Sequence, residues 1–241
     1  MKALLLGYGK MGKEIEAELL RRGHEVVARI DPVLGTPELT EDTKGSAEVA
    51  FEFTTPQSAL ANIRRALELD LRLVVGTTGW HSELTEVRPW VEKHKGGLVY
   101  ASNFSPGLVI FREVVREAAR RYAQLGDYDV YLMERHHGGK KDSPSGTART
   151  LAEEVLKEEK RKVRVVTGAP EPGGLHITSV RGGSSVGDHS VFFDAEGEEV
   201  ELAHRARSRR AFAAGAVRAG EWIRTRRGLY EFSEIIKDLG T

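Results

Sequence analysis

The stretch Gly7-Tyr8-Gly9-Lys10-Met11-Gly12 constrains this 241-residue chain more than any other. A short apolar run at residues 3–6 precedes it and reads as a buried strand. A helical pattern follows, with Ile15, Leu19 and Leu20 on one face, and stops at Gly23. Residues 25–30 read as a second strand, with Asp31 at its end. Strand, G-x-G-x-x-G, helix, strand and acid together form the dinucleotide fingerprint in its required context. Gly7 permits the tight turn, Gly9 lets the backbone approach a pyrophosphate, and Gly12 lets helix and strand pack closely. Asp31 stands where a carboxylate reaches the adenine ribose hydroxyls. The alternative is a tight turn in a nucleotide-free α/β domain; both flanks and the acid weigh against it.

The next part of the chain repeats the strand–helix alternation. Residues 32–46 are rich in Gly, Pro, Thr and acid and read as a loop. Strands are expected at 49–53, 71–75 and 98–101. Between them lie a helix capped by Thr55 with Pro56 at its first position, burying Ala59, Leu60, Ile63, Ala66 and Leu67, and a second helix at 82–94. Such alternation implies a doubly wound parallel sheet, whose ligands sit beyond the carboxyl ends of the strands. Gly76-Thr77-Thr78 and Ala101-Ser102-Asn103-Phe104 fall there with the glycine turn. Either segment taken alone reads as turn chemistry.

After Asn103 the pattern changes. One long amphipathic helix at 109–122 leads to a strand at 128–133, and strands follow at 163–166, 175–180, 189–193 and 198–205 on short links. Strands joined this way pair in antiparallel or mixed fashion. The expected class is therefore α/β: a Rossmann-like doubly wound parallel sheet plus a second α+β domain with a mixed open sheet. An open sheet leaves a face or edge needing cover, most simply a second subunit. A helix at 211–225 follows, and a tail as apolar as Leu229, Tyr230, Phe232, Ile235, Ile236 and Leu239 must dock on the rest of the chain. Hinges are expected near Asn103 and Ala211.

The chemistry concentrates in residues 134–148. This stretch reads as a strand-to-helix loop, since Ala148, Leu151, Ala152, Val155 and Leu156 have amphipathic helical spacing. Ser145 can cap that helix, and Gly146 and Thr147 offer backbone N–H groups at its start. Lysines beside a helix N-terminus favour an anion, and a histidine beside an anion site can move a proton near neutral pH. His136, His137, Lys140 and Lys141 are the candidates; the bland reading makes them solvated surface groups and Ser145 only a cap.

Composition limits the alternatives. Lys+Arg and Asp+Glu are both 36, so a nucleic-acid partner is not expected. The basic run Arg205-x-Arg207-x-Arg209-Arg210 reads as a solvated helix start or a salt-bridge cluster, with attraction of substrate carboxylates as the functional alternative. There is no Cys, which excludes disulfides and thiolate-held metals and suits a reducing cytoplasm. No apolar run approaches membrane-spanning length, and Met1 leads into a strand rather than a secretory signal, so neither a membrane partner nor export is expected. No zinc-motif spacing is present, and no metal is expected. Few Asn and Gln with 30% charged residues lean toward a thermophilic source.

Glu134-x-His136-His137-x-x-Lys140-x-Asp142-x-Pro144-Ser145-Gly146-Thr147-Ala148 resembles the signature of the 4-hydroxy-tetrahydrodipicolinate reductases, also called dihydrodipicolinate reductases. The resemblance extends over nearly the whole chain. It implies a dinucleotide-binding domain from residues 1–103 and 212–241 and a substrate-binding and oligomerisation domain from 104–211, the whole a homotetramer. It implies NADH and/or NADPH as cofactor, held by Gly7, Gly9, Lys10, Met11, Gly12 and Asp31, by Gly76, Thr77 and Thr78 beside the nicotinamide half, and by Ala101, Ser102, Asn103 and Phe104. The glycine loop is one residue shorter than the usual family form. The implied substrate is a small cyclic dicarboxylate, 4-hydroxy-tetrahydrodipicolinate, reduced with loss of water in lysine and diaminopimelate biosynthesis. His136 and Lys140 carry catalysis by this resemblance, with His136 the general acid; His137, Lys140, Ser145, Gly146 and Thr147 bind substrate, and Asp142 orients Lys140 or the loop. Arg181-Gly182-Gly183 and Gly187-Asp188-His189 match positions lining the substrate domain, supporting the site rather than carrying the catalysis. Two other readings remain open at this point: a different two-domain NAD(P)-dependent amino-acid dehydrogenase, and a nucleotide-sensing protein without turnover.

Overall fold

The structure, a computed structural model, describes residues 1–36 and 38–240. Pro37, inside the expected loop at 32–46, and Thr241, the last residue of the expected first domain, lie outside the described residues. In chain order the elements are β1 (Lys2–Leu6), α1 (Lys10–Arg21), β2 (Glu25–Ile30), α2 (Glu41–Lys44), β3 (Val49–Glu52), α3 (Pro56–Glu68), β4 (Arg72–Val75), α4 (Leu84–Lys93) and β5 (Gly97–Tyr100). They continue with α5 (Pro106–Leu125), β6 (Asp129–His136), α6 (Gly146–Glu158), β7 (Arg164–Val166), β8 (Gly174–Arg181), β9 (Gly187–Ala195) and β10 (Glu198–Ala206). The last are α7 (Arg210–Ile223), β11 (Gly228–Glu231) and α8 (Phe232–Ile235). Met1–Pro106 and the chain from Arg209 onward form one compact unit, and Gly107–Ser208 a second.

The first unit is built on a six-stranded sheet in the order β11-β5-β4-β3-β1-β2, parallel throughout. Its strands are short and almost wholly apolar because helices cover both faces. Leu4, Leu6, Ala50, Leu73, Val75 and Leu98 pack with Ala59, Ile63 and Leu67 of α3 in one core. The order reverses at β1, which has β2 on one side and β3 on the other, so the glycine turn lies at the switch point where such sheets bind ligands. The apolar tail adds β11 as an edge strand beside β5, a strand that the sequence reading did not anticipate. Three smaller expectations are corrected. Leu20 is 57% exposed, because α1 buries Glu16 and Glu18 with Ile15 and Leu19 instead. The loop at 32–46 contains a short 3-10 turn at Pro32–Leu34 and the single turn α2, capped by Thr40. Thr55 precedes α3, but its hydroxyl meets Ser58 Oγ at 3.1 Å rather than capping a backbone N–H.

The second unit is a mixed five-stranded sheet, β10-β9-β6-β8-β7. β6 runs parallel to β8 and antiparallel to β9. Successive residues of a strand face opposite sides. Val130 and Leu132 of β6, Leu175 and Ile177 of β8, and Val191 and Phe193 of β9 therefore share one face, buried under Val115 and Ala119 of α5 and Leu151, Ala152 and Val155 of α6. The opposite face carries Tyr131 stacked on Phe192 at 4.8 Å, and Met133 and Val180, 42% and 44% exposed.

Candidate active site

β6 runs through His136, three residues beyond the expected strand end. Glu134 and His136 thus belong to the strand rather than the loop, and the loop begins at His137. Strand geometry decides their environment. Two residues apart, they continue the inward row of Val130 and Leu132 to the end of the sheet, where both are buried. The register sets Glu134 opposite Ser179 on one side and His189 on the other, and His136 opposite Arg181.

Glu134 Oε1 accepts from the Ser145 backbone N–H at 2.9 Å, Ser179 Oγ at 2.7 Å and Arg181 Nη2 at 2.6 Å. Its other oxygen faces His136 Nδ1 at 3.1 Å and His189 Nε2 at 3.7 Å. Burial pushes the carboxyl up, but the hydrogen bonds from Ser145, Arg181 and Ser179 outweigh it and hold the pKa at about 2. The imidazoles move the other way: burial lowers His136, helped by Lys140 and Arg181 and opposed by Glu134. Burial and the neighbouring His136 take His189 down to about 4. The two rings meet edge-on at 5.1 Å. The lowering favours the neutral ring of His136, which must take up a proton before it can act as an imidazolium donor.

The loop brings the remaining candidates alongside. Its first residue, His137, is half-buried and donates its N–H to the Ser185 carbonyl at 2.8 Å. Lys140 Nζ pairs with Asp142 at 2.8 Å, and Lys140, together with the backbone N–H groups of Asp142 and Gly146, lowers the Asp142 carboxyl. A carboxylate of the chain itself thus stands at the lysine and helix start expected to receive a carboxylate. Ser145 caps α6, its Oγ accepting from the Ala148 N–H at 3.2 Å and lying 3.2 Å from His189 Nε2. Gly146 is exposed and Thr147 half-buried at the first turn. Arg205, in the basic run, pairs with Glu201 at 3.4 Å. Sequence reading missed Glu134 as a functional group; it gave Arg181 and His189 a supporting rather than catalytic place, and both lie against Glu134. The available signal was the two-residue spacing of Glu134 and His136, which puts both on one strand face. Among the described residues Glu134, His136 and His189 also offer ligand atoms within 4.8 Å of one another, the spacing of a metal cluster, but Arg181 already brings a cation to the same carboxylate.

In the first unit Gly7 and Gly12 stand where a side chain would not fit. Gly7 has φ +87°, and a Cβ there would come 2.3 Å from the Phe53 carbonyl oxygen. A Cβ at Gly12 would come 2.3 Å from the Gly7 carbonyl oxygen, so helix and turn can meet only without one. At Gly9 a Cβ would have no neighbouring atom within 4 Å, which leaves the room a pyrophosphate would need. Lys10 is exposed and Met11 half-buried at the start of α1. Asp31 accepts from the Tyr8 N–H at 2.7 Å and the Val33 N–H at 2.8 Å. Thr77 is buried and anchored twice, its Oγ1 accepting from the Thr54 N–H at 2.8 Å and its carbonyl from Trp80 Nε1 at 2.8 Å. Gly76 is required by packing, since a Cβ would come 2.0 Å from the Phe53 ring. Thr78 and Ser102 are exposed, whereas Ala101 and Phe104 are buried. Phe104 packs on Phe232 at 4.9 Å, which leaves only its backbone for a ligand. Asn103 Oδ1 is engaged by the Ser105 N–H at 2.8 Å.

A parallel sheet opened by this turn, in one chain with a buried imidazole–carboxylate cluster, defines the class: a Rossmann-type oxidoreductase working with a nicotinamide nucleotide. Family models agree, with the dihydrodipicolinate reductase N-terminus matching residues 1–104 and its C-terminus residues 107–236. A 4-hydroxy-tetrahydrodipicolinate reductase of Christiangramia forsetii is 33% identical over 99% of both chains. One from Methanoculleus marisnigri is 44% identical over 73% of this chain and 70% of its own. The solved structure of a dipicolinate-bound dihydrodipicolinate reductase from Paenisporosarcina sp. TG-14 shares the fold, with a TM-score of 0.78 at 24% identity over 98% of this chain and 99% of the other. The chain belongs to the dihydrodipicolinate reductase family.

Proposed function

We propose that the chain reduces 4-hydroxy-tetrahydrodipicolinate to tetrahydrodipicolinate with loss of water, using NADH or NADPH, in lysine and diaminopimelate biosynthesis. The family match across 1–104 and 107–236, with the Glu134–Ala148 segment intact, carries the proposal. Among the described residues no helix is long and apolar enough to cross a membrane. A cytoplasmic location belongs to the same proposal.

In this reading residues 1–103 and 212–241 supply the cofactor site, and 104–211 the substrate site. A bound nicotinamide supplies the hydride. Gly7, Gly9, Lys10, Met11 and Gly12 hold the pyrophosphate end, Asp31 the adenine ribose, and Gly76, Thr77, Thr78 and the 101–104 segment the nicotinamide half. Lys140, Ser145, Gly146 and Thr147 bind a substrate carboxylate, which displaces Asp142 from Lys140. His137 adds a donor, and His136 moves the proton that accompanies the hydride. The dipicolinate of the Paenisporosarcina structure supports a small ring with two carboxylates as substrate. A homotetramer is part of the proposal, supported by the uncovered face bearing Tyr131, Met133, Val180 and Phe192.

The test is oxidation of NADH and NADPH with the condensation product of pyruvate and aspartate semialdehyde. Turnover dependent on that product is expected. Turnover only with an amino acid and the oxidised nucleotide would favour the amino-acid dehydrogenase reading, and nucleotide binding without turnover the sensor.

A further inference from the structure

Glu134 is buried at the end of β6, and its two oxygens have different surroundings. Oε1 is saturated by three donors, from Ser145, Ser179 and Arg181. Oε2 is buried, and its nearest facing group is His136 Nδ1 at 3.1 Å. Neither atom forms a hydrogen bond of good geometry among the described residues, which leaves each as the other's available partner. A buried carboxylate oxygen facing a ring nitrogen is stable only if that nitrogen carries the hydrogen. The opposite tautomer would press two lone pairs together out of reach of water. On the far side of the ring, a Cβ at Gly187 would come 2.9 Å from His136 Nε2, so the glycine keeps the approach to that nitrogen open.

We propose that Glu134 is a positioning residue that fixes His136 as the Nδ1–H tautomer, so that Nε2 is the atom exchanging a proton with the substrate. The proposal rests on the reading of His136 as the proton-transferring group. The carboxylate then does two things: it orients the ring, and it faces the positive charge that forms when Nε2 takes a proton. The other charged and titratable groups around the ring are Arg181 from β8, His189 from β9, and Lys140 and Asp142 from the loop. Arg181 is already committed to Oε1 at 2.6 Å, which leaves Oε2 to the imidazole and disfavours a metal ion on the same carboxylate.

The experiment is long-range proton–nitrogen correlation on the 15N-labelled full chain, with the His136 ring identified by its absence in H136Q. Expected are a protonated Nδ1 and an unprotonated Nε2 in wild type, a mixed or reversed tautomer in E134Q, and partial restoration in E134D. In parallel, E134Q is expected to lower kcat by about tenfold or more, part of the ~10²–10⁴ that positioned proton transfer contributes, with KM for the nucleotide unchanged. A protonated Nε2 in the wild type overturns the proposal. So does a folded E134Q enzyme with wild-type kcat, or a metal ion present in stoichiometric amount by elemental analysis. If E134Q does not fold, the wild-type spectrum decides alone. The expected tautomer in a protein inactive toward the proposed substrate would leave the positioning intact and overturn the function instead.

Discussion

Asp31 accepts the backbone N–H of Tyr8 at 2.7 Å, tying the end of β2 to the glycine turn that follows β1. The carboxylate is thereby held at the turn where the adenine ribose is expected. Arg29, one of the two cations with Lys10 that could answer a 2′-phosphate, is engaged elsewhere: it pairs with Glu16, which also accepts from the Tyr8 hydroxyl, and lies over the Tyr8 ring.

The first prediction is cofactor choice. A 2′-phosphate at ~4 Å from Asp31 costs about 1 kcal/mol per unit-charge pair in water and ~4 at an effective dielectric of 20. Pro32, next in the chain, offers neither charge nor N–H. NADH should therefore serve at least as well as NADPH, with exposed Lys10 moderating the bias. The check is kcat/KM for both at saturating substrate; an NADPH preference of about tenfold, some 1.4 kcal/mol, would contradict it.

His136→Ala removes the imidazole at the end of β6. Its kcat should fall by roughly 10²–10⁴ while nucleotide affinity stays near wild type. Steady-state kinetics with a nucleotide titration separates the two, and retention of more than about a tenth of kcat would remove His136 from the chemistry.

Acid should weaken the second unit in two stages. His189 has a folded pKa of about 4, so below the ordinary 6.5 an unfolded chain takes up a proton that the folded chain refuses. Stability is lost as pH falls from 6.5 toward 4, on the order of 3 kcal/mol over the interval. Glu134, held at about 2, adds a further loss as pH falls from its ordinary 4.5 through that value. H189Q should flatten the upper stage alone, and parallel Tm–pH curves for variant and wild type would count against this account.

Glu52 is a buried carboxyl in the first unit whose pKa burial raises, against hydrogen bonds led by Thr54. Its sign is opposite to that of Glu134. Below the unfolded value the group costs nothing; as pH rises through 4.5 toward the raised folded value, the unfolded chain ionises first and stability drops. Glu52→Gln keeps an acceptor for Thr54 and should raise Tm at pH 8 relative to wild type while leaving it unchanged near pH 4. Melting curves at both pH values test it.

The open face of the second sheet predicts self-association. Light scattering at micromolar concentration should show a species larger than 26.6 kDa. Val180→Asp, a charge at a 44% exposed apolar position on that face, should shift the species toward monomer. A monomeric wild type would rule the assembly out.

Local signals were legible in the residues themselves. The glycine turn with Asp31 at the end of β2 is a fixed spacing within one strand–helix–strand unit, and the Ser145 cap and the amphipathic face of α6 depend on contacts within a turn or two, so spacing alone identifies them. The alternation of strands and helices likewise implies the parallel sheet, because buried strands and amphipathic helices have different hydrophobic periods. Long-range pairing is another matter. That the tail would supply β11, that Leu20 would stay in solvent while Glu16 was buried, and that β6 would run on to His136 follow from partners far away in sequence. The arrangement of the cluster is of this kind. Glu134 meets Ser179, Arg181 and His189 only because β6 lies between β8 and β9 in one particular register. A slip of one residue would turn Glu134 and His136 to the opposite face, and that register is set by the packing of Val130, Leu132, Ile177 and Val191 under α5 and α6.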